Sequence, residues 1–557
     1  MDYNKLADML FPDVTATPEE IEAKYPERQL PEGAKVTRIA PSPTGFFHFG
    51  GLFPATVAER LAHQSGGVFY LRIEDTDSKR EVEGAAEFIT KILDRYGLHF
   101  DEGVTADGDR GAYGPYTQSQ RVDIYHVFAK KLVADGRAYP VFSTDEELDE
   151  LKAADKKAEI KSINWEEEAE ARRQAMIARR QFTMEQVEAE LAAGHKFALF
   201  AAADGDPEKK IKITDLVKGT LEIPENDEDV VLLKSDGIPT YHFAHAIDDH
   251  LMRTTHVIRG EEWLPSLSKH IMLFRYLGFK LPKYMHIAQL MRLDENGNKK
   301  KLSKRDMGAN LDDYRKMGYS VQAVNEYVMT LLNSNYEEWH MQNPDKSWRD
   351  FPFSIKKMSA SGCLFDIEKL NDVSKNVISR MSANEVFDGV CSYAREEDPD
   401  FYGTLTSDRA YAESILAIGR GGAKPRKDFA VWADVKPYMS FFYDKYFERT
   451  DSMPADKDVS DIKAALTGFI ASYDENDDQT AWFEKCKDIA CQIGYARETK
   501  QYKKEPEKYK GHVGDVASFI RIAVTGRQNS PDLYEVMKIL GKERTVARIR
   551  EELGLLS

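Results

Sequence analysis

The stretch from Lys35 to Ile73 constrains the fold more than any other part of the chain. Lys35-Val36-Thr37-Arg38-Ile39-Ala40 reads as a short strand that stops at the breaker cluster Pro41-Ser42-Pro43-Thr44-Gly45. Leu52 to Gln64 is rich in Ala, Leu and Val and predicts a helix, with Pro54 tolerable near its first turn. Gly67-Val68-Phe69-Tyr70-Leu71-Arg72-Ile73 then alternates as a second strand. Strand, glycine-rich turn, helix and strand within about 40 residues make a nucleotide-type βαβ unit.

Around this unit the chain is long. Its 557 residues suggest three to four domains at about 150 residues each. Residues 1–34 are acidic and Pro-punctuated and read as a helical appendage. From about 130 to 240 the pattern changes. A charged helical piece, Trp165 to Arg173, precedes strand-like runs at Phe197-Ala198-Leu199-Phe200 and Val230-Val231-Leu232-Leu233, as an insertion would. Apolar helical periodicity returns at Ile271 to Leu277, and after about 320 most of the chain follows a helical period, as at Leu533, Val536, Met537 and Leu540. No repeat of 20 to 50 residues is present.

Composition excludes several classes. With 94 acidic against 77 basic side chains the net charge is −17, so a polyanion would have to be met by local basic surfaces rather than by the protein's overall field. Four scattered cysteines do not make a disulfide framework, no apolar run is long enough for a bilayer, and the first residues lack a secretory layout. A cytoplasmic protein without membrane contact is expected.

Two segments could carry chemistry. In Pro43-Thr44-Gly45-Phe46-Phe47-His48-Phe49-Gly50-Gly51, glycines let backbone N–H groups approach a phosphate at a helix N-terminus, and His48 could hydrogen-bond it as its charge rearranges. A tight turn with a half-buried histidine would look the same. Downstream, Lys299 to Arg305 in Asn298-Lys299-Lys300-Lys301-Leu302-Ser303-Lys304-Arg305-Asp306 holds five cations, which fits a solvated loop or one that brings Lys304 and Lys301 onto a departing pyrophosphate. The pair is much rarer than either alone.

Together the two segments resemble the paired signatures of class I aminoacyl-tRNA synthetases, as the variant forms His48-Phe49-Gly50-Gly51 and Lys301-Leu302-Ser303-Lys304-Arg305. Arg38 to Gly45, Arg72-Ile73-Glu74-Asp75-Thr76-Asp77, Tyr116 to Arg121, Pro239 to Ala244, Asp248 to Met252 and Val257 to Trp263 are similar to the glutamyl-tRNA synthetase family. Matching pieces recur at Thr525-Gly526-Arg527 and Leu540 to Arg544. Arg72-Ile73-Glu74-Asp75-Thr76 stands where glutaminyl-tRNA synthetases carry Arg-Phe-Asp-Asp-Thr, so the local sequence favours glutamate. A substrate with two carboxylates also asks for guanidinium groups, which bind carboxylates in a planar, two-point manner.

The resemblance implies an α/β fold: a Rossmann-type catalytic domain in two halves (35–130 and 241–320), an inserted acceptor-end-binding domain (131–240), a helical stem-contact domain (321–400) and an α-helical anticodon-binding domain (401–557). It implies a glutamate–tRNA ligase using ATP and Mg²⁺ on tRNA(Glu), as a monomer, with bound tRNA needed to make the ATP and glutamate sites competent. The alternatives are a form that also charges tRNA(Gln), or a glutaminyl-tRNA synthetase. His48, Lys301 and Lys304 would be catalytic. Thr44, Gly45, His48, Gly50, Gly51, Ser303 and Lys304 would bind ATP. Arg38 and Arg259 would hold the glutamate carboxylates, Glu74 and Ser42 its ammonium, and Tyr241 would close the side-chain pocket, with Ala40 beside them. The bland readings are ion pairs, Arg259 with Glu261 or Glu262 and Glu74 with Arg72 or Arg80.

Three departures from the family pattern stand out. His245 replaces a frequent asparagine and could still hydrogen-bond the amino acid. Val141 and Ser143 stand where many members place the first cysteines of a zinc knot, and no cysteine precedes Cys363, so no zinc is expected. Lys357-Met358-Ser359-Ala360-Ser361 spells most of the commoner lysine signature but lacks its second lysine. His242, His245, Asp248, Asp249, His250 and His256 are of metal-ligating types, yet the resemblance makes Asp249 and His250 structural, and no metal site is expected. Thr499 to Lys510 mixes lysines with Tyr502 and Tyr509, a composition suited to phosphates and bases or to an exposed linker.

Overall fold

The computed structural model describes residues 1–45, 47–77, 82–142, 173–301, 310–360 and 363–556. They divide into two compact units, residues 1–312 with 328–366, and residues 313–327 with 367–557.

The first unit opens with helices α1 (Tyr3–Leu10) and α2 (Pro18–Lys24), started by Asp2 and by a Thr17–Glu20 capping box. The nucleotide-type unit follows as β1 (Val36–Ile39), α3 (Phe49–Gln64) and β2 (Val68–Leu71). Then come α4 (Ala85–Arg95), β3 (Glu102–Thr105), β4 (Gly108–Arg110) and α5 (Val122–Ala134). The sheet order is β1-β2-β3-β4, parallel except for the last pair, with Arg38 opposite Tyr70. Such strands are covered on both faces, and β1 is buried throughout.

The insertion holds β5 (Ala138–Phe142), α6 (Met184–Ala192), β6 (Phe197–Ala201), the hairpin β7 (Lys210–Asp215) and β8 (Gly219–Pro224), and β9 (Val230–Leu233). β5, β6 and β9 form an antiparallel sheet; most of the predicted helical piece at Trp165 to Arg173 lies outside the described residues. The nucleotide fold resumes with α7 (Tyr241–Leu251), β10 (His256–Gly260), α8 (Leu267–Leu277) and β11 (Lys283–Ile287), β10 and β11 being parallel. Thr255, just before β10, donates its N–H to the Val36 carbonyl at 3.0 Å, which seats this pair beside β1. β12 (Leu290–Leu293) and β13 (Lys299–Lys301) form the antiparallel ladder leading into the lysine-rich signature.

The appendage belongs to this core. Leu6, Leu10, Phe11, Ile21 and Tyr25 are buried with α5 and α7, Arg28 makes a two-point ion pair with Glu102, and Glu22 holds His250 at the end of α7 and Arg253 just after it. The second unit is helical. Its core runs from Ile378 and Val386 through Trp432, Phe469 and Trp482 to Leu540 and Ile549. Among the described residues no helix is long and apolar enough to cross a membrane.

Candidate active site

The glycine turn and the strand ends of the first unit surround a cavity of about 1290 Å³. Gly45 has φ +115°, a backbone state that only glycine adopts without strain. The helix after it starts at Phe49, three residues before the sequence pattern predicts, because the His48 side chain caps it: Nδ1 accepts the Gly50 N–H at 2.9 Å. Pro54 consequently falls in the second turn, and both glycines fall in the first. A Cβ on Gly51 would meet the Phe47 ring at 2.8 Å, so any larger residue there has to displace that ring. No acidic residue occupies the first turn of α3, so its positive end is left for an anion.

Of the expected residues, Arg38, Ala40, Ser42, Thr44, His48, Gly50, Gly51, Glu74, Tyr241, Arg259 and Lys301 line this one cavity. Gly45 does not, and Ser303 and Lys304 lie outside the described residues. The chain bracketing them is placed: Lys301 is on the cavity wall, and Asn310 forms an antiparallel bridge with His48, followed by a Leu311 N–H to Phe47 carbonyl bond of 3.2 Å.

His245, expected to touch the amino acid, does not line the cavity. It is fully buried one layer behind, stacked on Tyr241 at 5.6 Å, with Nδ1 2.8 Å from Asp249. Burial outweighs that carboxylate and pushes the imidazole down to about 4, so it stays neutral. The α7 carboxylates organise the floor. Asp249 accepts from Arg38 Nε at 3.2 Å and Arg72 Nη1 at 2.8 Å, while Asp248 accepts from Arg121, Gln118 and Tyr125 at 2.7 to 2.9 Å. Burial alone would raise the Asp249 carboxyl, but Arg38 and Arg72 outweigh it and hold it well below the usual range. Glu74 pairs with Arg72 at 2.9 Å, as the bland reading allows, and still faces the cavity; burial raises its carboxyl, with Arg72 and Arg38 offsetting part of that.

Arg259 is not paired with Glu261 or Glu262; Glu261 binds Lys218 instead. Arg259 Nε donates to His286 Nε2 and Nη1 bonds His270 Nδ1, both at 3.0 Å, while its buried Nη2 has no hydrogen-bond partner among the described residues. The other cavity walls come from Lys234, Ser235 and Asp236 after β9, and from Glu262, Trp263 and Gln289. Local motifs do not single out His270, His286 or Asp215, because His270 and His286 reach Arg259, and Asp215 reaches His286, from three separate elements. Among the described residues no group of three or more His, Cys, Asp or Glu side chains is placed to hold a metal ion.

A family profile described as the catalytic domain of class I tRNA synthetases (E and Q) matches residues 35–372. The chain belongs to the class I tRNA synthetases of the glutamate and glutamine group. A second profile, described as an anticodon binding domain, matches residues 423–553 of this synthetase. Among similar proteins, a glutamate–tRNA ligase of Acetivibrio thermocellus is 49% identical, with 99% of this chain and 100% of the relative covered. One from Clostridium perfringens is 45% identical over 100% of both. A crystal structure of a glutamate tRNA ligase from Elizabethkingia meningosepticum, in complex with its amino acid, superposes with a TM-score of 0.73. That match has 26% identity and covers 94% of this synthetase and 100% of the solved chain.

Proposed function

We propose that this cavity activates glutamate with ATP and passes it to the 3′-terminal adenosine of tRNA(Glu). The chain is a glutamate–tRNA ligase, a class I aminoacyl-tRNA synthetase with an anticodon-binding region. One observation supports the site assignment: His48 of the first signature and Lys301 of the second line the same cavity, and Asn310 bridges to His48.

In the first step the glutamate α-carboxylate attacks the α-phosphorus of ATP. A new P–O bond forms, and the bond to pyrophosphate breaks. The glycine turn and the uncompensated end of α3 receive the phosphates, with Thr44 beside them. His48, whose Nδ1 caps the helix, lines the cavity where the phosphate charge shifts, and Lys301 lines the same cavity; Ser303 and Lys304 of the same signature are assigned to the phosphates by family resemblance. In the second step a ribose hydroxyl of the terminal adenosine, the 2′-OH by family resemblance, attacks the activated carbonyl and AMP departs. No protein nucleophile is required, so the protein works by placement and electrostatics.

For glutamate, the unpartnered Nη2 of Arg259 meets a carboxylate and Arg38 borders the same space. Glu74 and Ser42 face the ammonium, and Tyr241, 4.3 Å from Trp263 between ring centroids, closes the side. Mg²⁺ would neutralise phosphate charge when bound with ATP. With no clustered protein ligands among the described residues, phosphate oxygens and water would supply most of its shell. Lysines 500, 503, 504, 508 and 510 are exposed with Tyr502 and Tyr509 interleaved, a surface suited to unpaired tRNA bases.

Aminoacylation of purified tRNA(Glu) and tRNA(Gln) with labelled glutamate and glutamine tests the assignment: glutamate on tRNA(Glu) is expected, and glutamine charging would overturn it. ATP–pyrophosphate exchange should require tRNA, and robust exchange without it would refute that part. Light scattering on the eluting protein would check the monomer.

A further inference from the structure

Arg38 and Arg259 both border the cavity, but they are held in different ways. Arg38 lies against the Asp249 carboxylate, so its charge is met inside the protein. The groups accepting from Arg259 are two imidazoles. A guanidinium only donates, so the ring nitrogens facing it must carry lone pairs. His286 then has its proton on Nδ1, which donates to Asp215 Oδ2 at 2.7 Å. His270 has its proton on Nε2, 2.9 Å from His242 Nδ1.

Asp215 is the last residue of β7, in the inserted hairpin, and is almost fully buried. Its Oδ1 accepts the N–H groups of Val217 and Lys218 at 2.9 and 2.8 Å, and Oδ2 also accepts the His286 N–H at 3.0 Å. The carboxylate is therefore locked by its own turn, and it holds His286 at two points, the backbone N–H and the ring Nδ1. The same turn grips the segment after Arg259 again, through Lys218 on Glu261, whose other oxygen accepts the Gln289 N–H at 3.1 Å.

We propose that Asp215 and His286 are positioning residues for glutamate binding. The hairpin fixes the imidazole, the imidazole fixes Arg259 Nε, and the unpartnered Nη2 is thereby presented to the substrate carboxylate. This rests on the assignment of Arg259 to glutamate. A neutral acceptor suits the task better than a carboxylate would. It orients the guanidinium without compensating its charge, so the full attraction is left for the substrate. Holding the side chain beforehand also removes an ordering cost from the binding step. Because Asp215 comes from the insertion, the hairpin becomes part of the amino-acid site.

The test is steady-state aminoacylation by the full-length protein, with KM for glutamate, ATP and tRNA(Glu) and kcat measured separately. H286L removes the acceptor while keeping an apolar side chain of moderate size. H286Q returns an amide oxygen near the position of Nε2. D215N puts an amide NH₂ against one of its own donors, turning the ring or loosening the turn. R259A is the reference. Loss of a hydrogen bond to a charged group predicts that H286L and D215N raise the glutamate KM by about tenfold or more, with the ATP and tRNA constants within about twofold. H286Q should return the glutamate KM to within about threefold of the parent. R259A should raise it by about 100-fold. The proposal fails if R259A raises the glutamate KM while H286L and D215N leave it unchanged, or if H286L and H286Q are equally impaired in every constant. If R259A itself leaves the glutamate KM unchanged, the assignment of Arg259 is what has failed. Should H286L not fold, the contrast of D215N with H286Q still decides.

Discussion

Asp249→Asn is a demanding test of how the cavity floor is held. The carboxylate is fully buried, within 3.3 Å of Arg38 nitrogens and 2.8 Å of Arg72 Nη1. At an effective dielectric of about 20, each such pair attracts by roughly 5 kcal/mol, most of which offsets the desolvation of the charges. Removing one partner leaves two guanidinium groups buried together, with Glu74 and Asp248 as the nearby acids, and a loss of about 3–5 kcal/mol is expected. For a unit of this size that lowers its melting temperature by roughly 4–7 °C. Calorimetry of the full chain would show the first-unit transition moving and the helical unit's transition staying. Asp400→Asn, at the exposed pair with Lys445, should move neither. The pH dependence has a definite sign. The Asp249 carboxyl is held well below its ordinary 3.8, so its contribution is full above that value and is lost as pH falls through the folded-state pKa. The gap between parent and variant must therefore narrow in acid below about 3.8. A variant within about 1 kcal/mol of the parent at neutral pH, or a gap that widens in acid, would refute the reasoning.

Three further outcomes are expected. His48→Asn keeps an acceptor for the Gly50 N–H but loses the reach of Nε2, so its melting should match the parent while kcat falls about 10²- to 10³-fold; His48→Ala should lose both. Gly51→Ala drives a methyl to 2.8 Å from the Phe47 ring, and the displaced turn should show a raised KM for ATP in exchange assays made with tRNA. Deleting residues 1–30 strips Leu6, Leu10, Phe11, Ile21 and Tyr25 from the core; at about 1.5–3 kcal/mol each this rivals the stability of a whole domain, so the product should aggregate on expression.

The elements around the cavity were legible where local chemistry dictates local structure. The breaker cluster after Ile39, the alternation from Gly67 to Ile73 and the apolar period at Ile271 to Leu277 each appear as the strand, strand and helix that the pattern predicts. The start of α3 was misplaced because the pattern follows apolar residues, whereas the helix begins at its cap, and a histidine cap has no hydrophobic signal. In the histidine-rich run, closeness in sequence likewise says little about grouping in space. Residue types suited to a metal lie close in sequence, but the fold sends His245 behind Tyr241 and His250 to Glu22. The support of Arg259 was invisible because His270 and His286, and Asp215 behind His286, are brought together only by pairing β10 with β11 and seating the hairpin beside them.

The contrast between the two arginines explains why those distant partners matter. A site for a substrate with two carboxylates has to keep cations out of water before the substrate arrives, and a buried cation needs hydrogen bonds. Meeting that need with an acid, as Asp249 does for Arg38 and Arg72, yields a stable floor but spends part of the attraction on the protein itself. Meeting it with imidazoles works only while they stay neutral. Burial pushes His242 to about 4, His270 well below its ordinary value and His286 down as well, with the Arg259 charge adding to the effect in each. The Asp215 carboxylate pulls His286 the other way, yet burial and Arg259 prevail. Protonated, His286 would turn a donor toward Arg259 and set two like charges 3.0 Å apart. The cluster thus reserves one guanidinium for the substrate, at the cost of a pocket whose competence depends on four side chains drawn from four elements.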